Sequence, residues 1–98
     1  MDWEEIKELS LNEPKGLLEK MLKLQEECGE LAQEVLINNK SSGLQYKNAV
    51  EHGIANECVD ILLVTYSIFY SQGYDEDDLS SLMKEKLAKW KKYQKRKK

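Results

Sequence analysis

The stretch Ile54-Ala55-Asn56-Glu57-Cys58-Val59-Asp60-Ile61-Leu62-Leu63-Val64-Thr65-Tyr66-Ser67-Ile68-Phe69 decides the fold. At about 100° per residue, Ile54, Cys58, Val59, Ile61, Leu62, Leu63, Val64, Ile68 and Phe69 cover nearly the whole circumference of a helix. A helix apolar all round is a buried helix. The pattern predicts a helix from about Tyr46 to Gln72, with Gly73 just past its end. Glu57 and Asp60 lie in its middle, three residues apart and therefore on one face. An unpaired ionised carboxylate in such a place costs several kcal/mol, so something must compensate for two.

The preceding helix offers more acid. Leu17, Leu18, Met21, Leu24, Cys28, Leu31, Ala32 and Val35 recur at helical spacing, predicting a helix from about Pro14 to Ile37. Asn12 is its expected cap, with Pro14 tolerated in the first turn. It carries Glu26-Glu27-Cys28-Gly29-Glu30, where Glu27 and Glu30 repeat the spacing of Glu57 and Asp60. Gly29 is unfavourable inside a helix, and its expected purpose is close approach of a neighbour. If the two helices pack antiparallel, two carboxylates from each converge. Four clustered acids repel and acquire raised pKa values. A divalent cation resolves that conflict, and all-oxygen ligation suits magnesium or manganese. The ordinary alternative pairs these acids with Lys20, Lys23 or Lys47, as in an i,i+4 pair of Lys23 with Glu27.

The remaining elements are helical too. A short helix is expected from Trp3 to Leu9 with Asp2 as N-cap, and a last one from an Asp75 cap through Leu79, Leu82, Met83, Leu87 and Trp90. The reading is an all-α chain of four helices in one domain, residues 1–98. Its net charge of −3 conceals an asymmetry. Up to Met83 there are 17 acidic and 6 basic residues; from Lys84 onward there are 9 basic and 1 acidic. The tail Lys91–Lys98 reads first as a solvated helix end. Attraction of polyanionic nucleotides is a further role, and nucleic acid is not the expected partner.

Several classes are excluded. The apolar run from Val59 to Tyr70 is interrupted by polar residues and reads as too short for a bilayer. The acidic N-terminus is no secretory signal. Two cysteines, Cys28 and Cys58, make no disulfide framework and read as buried small apolar residues. A cytoplasmic protein is expected. One histidine, His52, with two cysteines does not make a four-ligand zinc site, and neither acidic pair has the histidine that di-iron bundles require.

Glu27-x-x-Glu30, followed about thirty residues later by Glu57-x-x-Asp60, resembles the MazG-type all-α nucleoside triphosphate pyrophosphohydrolase family. The surrounding strings, Lys23 to Leu31 and Glu57 to Leu63, are similar to its two motif helices, and the likeness covers roughly Leu17 to Tyr93. The resemblance implies a four-helix bundle assembled as a homodimer or homotetramer. It implies that Glu27, Glu30, Glu57 and Asp60 hold magnesium, and that a triphosphate is cleaved to a monophosphate and pyrophosphate. Glu26 is an additional candidate for general base. Near the last helix Lys86 and Tyr93 fit the family pattern, whereas Trp90 stands where asparagine is usual. Lys86, then Lys89, are the phosphate-binding candidates, and Trp3 is a candidate for stacking on a base. The apolar circumference of the third helix exceeds what a small monomer can cover, which also favours a homo-oligomer. Two rival readings stand beside the enzyme. One is a catalytically degenerate nucleotide-binding module. The other is a helical interaction protein whose basic tail contacts nucleic acid.

Overall fold

The computed structural model describes residues 1–39 and 52–97. Four helices follow one another: α1 (Trp3–Asn12), α2 (Leu17–Asn38), α3 (Gly53–Ser71) and α4 (Glu76–Lys97). No strand occurs among the described residues. Tyr46 and Lys47 lie outside them, but the third helix begins at Gly53 rather than running on from Tyr46, because His52 before it takes a left-handed conformation, φ 59° and ψ 20°.

Asp2 caps α1 by accepting the Glu5 N–H at 3.0 Å, as expected. The break after α1 falls differently from the expectation. Asn12 ends α1 rather than opening α2, and Pro14 lies between the helices. The cause is the restriction that proline imposes on its predecessor. Glu13 is forced into extended backbone, φ −66° and ψ 121°. Gly16, also extended, then starts α2 without a side-chain cap. At the other end of the chain, Asp75 and Asp78 cap α4 reciprocally. Each carboxylate accepts the other's backbone N–H at 3.0 Å. Gly73 takes φ +90° just beyond α3, a left-handed position where glycine carries no Cβ penalty.

Helices α1 and α2 pack on α3. The join is secured by Lys20. Its side chain is only 5% exposed, and Nζ donates to the Ser10 carbonyl of α1 and the Ser67 carbonyl of α3, each at 3.4 Å. Both carbonyls lie toward helix C-termini, where the dipole favours a cation. Neither α1 nor α3 has a basic residue in its own last turn. Lys20 therefore supplies from α2 the charge that both helices lack.

The expectation that α3 is buried all round is not met within one chain. Val59 is 51% exposed and Leu62 46%. Among the described residues only Ile37 and Tyr70 are buried apolar side chains. Cys28 and Cys58, expected inside, are exposed. Gly29 is also exposed, and a Cβ there would touch nothing within 4 Å, so it serves no close helix approach within the chain. For α3 the physical reason is that α1 and α2 pack on it extensively and α4 does not. Its Leu82, Met83, Leu87, Trp90 and Tyr93 stay exposed. The Cα radius of gyration is 16.6 Å, against about 13 Å for a compact chain of this length. Among the described residues, α3 is long and apolar enough to cross a membrane, with a mean hydropathy of 1.2. This corrects the expectation from the shorter run Val59–Tyr70. Glu57 and Asp60 in its midst would be costly at membrane depth.

Candidate carboxylate centre

Glu27 is the side chain on which the site turns. It sits in the middle of α2, only 5% exposed, facing α3. Carboxylate oxygens of Glu27, Glu57 and Asp60 lie within 4.8 Å of one another across the two helices. A second trio on α2 alone, Glu26, Glu27 and Glu30, meets the same limit. Glu27 belongs to both, so five acids form two overlapping groups joined at one residue. The three-residue spacing on each helix produces this geometry, and the packing of α2 on α3 turns two ordinary acidic faces toward each other.

The charges are only partly compensated. Lys23 donates to Glu27 Oε1 at 3.0 Å and approaches Glu26 Oε1 at 3.5 Å. That bond is the main reason Glu27 is held below the usual carboxylate range. Burial opposes it, and hydrogen bonds with Glu57 and Asp60 assist it. Lys23 is pushed up correspondingly, first by its bond to Glu27. Glu57 has no such cation and is pushed up to about 7. Burial is the largest cause, followed by its hydrogen bond with Glu27 and the charges of Glu30, Glu27 and Asp60. At neutral pH Glu57 is therefore only partly ionised rather than adding a full charge.

Two oxygens remain orphaned. Glu27 Oε2 and Glu57 Oε2 are buried and have no hydrogen-bond partner. Buried polar atoms are rarely left so. The orphans, on neighbouring helices and in an all-oxygen donor set, fit a hard divalent cation such as magnesium.

Glu34, which the sequence reading passed over, extends the acidic line two turns beyond Glu27. Its Oε2 is likewise buried without a partner. The carboxylate lies against Gly53, where a Cβ would collide with it. The i+7 spacing from Glu27 was the available signal. Lys20 was also missed as a structural cation, because nothing local in the sequence announces two carbonyls from other helices.

The other predicted residues lie elsewhere. Lys86 and Lys89 are exposed on α4 and belong to neither acidic trio's surroundings. Trp3 packs edge-on against Tyr66, with centroids 5.1 Å apart at 77°. It lines a groove with Leu79, Met83 and Leu87 of α4. The structure brings together Glu26, Glu27 and Glu30, and Glu27, Glu57 and Asp60; it does not bring the lysines of α4 or Trp3 to them.

No protein-family model, curated protein or solved structure matches this chain.

Proposed function

We propose that this protein is a magnesium-dependent nucleoside triphosphate pyrophosphohydrolase of the MazG-like all-α kind, acting on unwanted or excess nucleotides in the cytoplasm. The observation that carries the reading is the convergence of Glu27, Glu57 and Asp60 across α2 and α3, with buried oxygens of Glu27 and Glu57 unsatisfied. Glu27, Glu30, Glu57 and Asp60 would hold magnesium, with manganese an alternative. The bound cation supplies neutralisation of triphosphate charge and a more acidic water.

The chain's own residues supply the rest. Water attacks the α-phosphorus, the bond to the bridging oxygen breaks, and pyrophosphate leaves as the nucleoside monophosphate forms. Glu26 stands beside Glu27, solvent-accessible and steadied by Lys23, and is the candidate to accept the water's proton. Lys86 and Lys89, being on α4, would reach the triphosphate from a second copy of the chain. A homodimer or homotetramer is supported by the exposed apolar residues of α3 and α4, which a partner would cover.

A panel of NTPs and dNTPs with magnesium, followed for pyrophosphate, tests the reading. Release of orthophosphate instead would falsify the cleavage position. Magnesium-induced stabilisation without turnover would identify a nucleotide-binding module. The Lys23–Glu27 pair favours a second reading, an interaction bundle whose acids are neutralised by lysine. In that case magnesium leaves the melting midpoint unchanged.

A further inference from the structure

Beside the carboxylate centre lies a cavity lined by residues of α1, α2 and α3, of about 280 Å³. That is near the lower end of small-molecule sites, roughly 300 Å³. Its apolar walls are Ile6, Leu9, Leu63 and Val64. Lys23 joins the two regions, since it lines the cavity and binds Glu27. On α3, Leu63 and Val64 follow Asp60 by one turn. On α2, Lys20 precedes Glu27 by two turns, about 10 Å along the axis. That separation suits a nucleotide whose phosphates lie at the carboxylates and whose base enters the cavity.

Against these walls the lining also carries polar groups, Ser10, Glu13, Lys15, Lys20, Lys23 and Ser67, of which Lys20 is the most deeply buried charge. An ammonium has three donors. Two are engaged by the Ser10 and Ser67 carbonyls, both at the long distance of 3.4 Å. No carboxylate pairs with Lys20 among the described residues, although the side chain is 5% exposed. A buried charged donor with capacity to spare favours a ligand that presents an acceptor.

We propose that this cavity is the nucleoside subsite of the carboxylate centre, and that Lys20 selects within it by donating its remaining N–H to a carbonyl oxygen of the base. The proposal rests on the pyrophosphohydrolase reading above. Pyrimidines and guanine present such an oxygen, and adenine has none. The small volume favours the single-ring bases.

The test uses uridine and adenosine monophosphates with the protein in the presence of magnesium, so that the phosphate is not repelled by the carboxylates, followed by methyl NMR. Uridine monophosphate shifts the methyl signals of Ile6, Leu9, Leu63 and Val64. It binds about tenfold tighter than adenosine monophosphate, the scale of one hydrogen bond to a charged donor. Lys20→Met brings the two within about twofold. Should that variant unfold, Val64→Trp decides: it fills the cavity while retaining Lys20 and abolishes the uridine shifts. Equal affinities in the natural protein, shifts confined to other residues, or undiminished binding by Val64→Trp would each overturn the proposal. Failure of the two readings is distinguishable. Pyrophosphate release without base preference removes the subsite alone. Uridine-selective shifts without any pyrophosphate release remove the reaction and keep the subsite.

Discussion

Lys20 and Glu27 lie seven residues apart on one face of α2 and are equally buried, yet their surroundings treat them differently. The cation is met by carbonyls at the ends of α1 and α3, groups that are electronegative because of where those helices stop. The anion is met by one lysine on one oxygen, while its other oxygen is buried without a partner and further acids stand close by. At one end of the groove the chain's own carbonyls hold the cation at a helix junction. The other end concentrates like charge and leaves acceptors unsatisfied, the condition expected of a centre finished by something from solution.

The contrast can be broken most severely at the acidic end. Glu57→Gln and Asp60→Asn should each lower magnesium-dependent pyrophosphate release by about a hundredfold or more, since even residues supporting metal ligands cost 10–100-fold. Steady-state kinetics checks this, and near-normal turnover in both variants would remove the carboxylate centre from the mechanism. At the other end, Lys20→Met should act on stability. Loss of charge-assisted bonds at the junction should cost about 2 kcal/mol, or roughly 10 °C in the melting midpoint for a domain of this size. A midpoint unchanged within error would mean that Lys20 does not pin the helices.

pH sharpens the comparison further. Glu57 has a folded pKa of about 7, raised from 4.5. Between those values the folded state binds the extra proton, so this group stabilises the metal-free protein below about pH 4.5, and the contribution is lost as pH rises through 7. Glu27 is shifted down, so its contribution is present above its usual value and lost only in stronger acid. Cation binding requires the ionised carboxylate. Magnesium-induced stabilisation should therefore be small at pH 5.5, rise through pH 7 and level off by about pH 8. Calorimetric melts with and without magnesium across that range read it directly, and a flat response argues that Glu57 is not a ligand.

The smallest effect belongs to Glu26. It is exposed and holds Lys23 at 3.5 Å, a surface contact that solvent screens heavily. Glu26→Gln should leave stability almost unchanged. Its effect on turnover separates the two trios: if it matches Glu57→Gln in severity, the group on α2 matters as much as the group shared between helices.

Local signals in the sequence were read well where the chemistry is local. The Asp2 and Asp75 caps needed only a side chain and an N–H three residues on, and Gly73 needed only its missing Cβ. The paired acids were legible because each pair lies on one helix and three-residue spacing is enough to align them. The effect of Pro14 falls on Glu13, one position earlier, so tolerance of proline in a first turn does not carry a helix across it. The burial of α3 was misjudged because periodicity reports how much apolar surface must be covered, not which chain covers it.

The sequence by itself determined the four helices, the acidic faces and the surplus of apolar surface, since these follow from 3.6-residue periodicity and from side chains near in the chain. The tertiary structure alone decided three further matters. It made Glu27 the residue common to both trios and left its second oxygen orphaned. It turned Lys20 into the shared cation of two helix ends, a role depending on carbonyls 10 and 47 residues away. It also separated α4, with Lys86 and Lys89, from the carboxylates. Each is a fact about which surfaces meet, and long-range packing, unlike helical periodicity, is not written in any one segment.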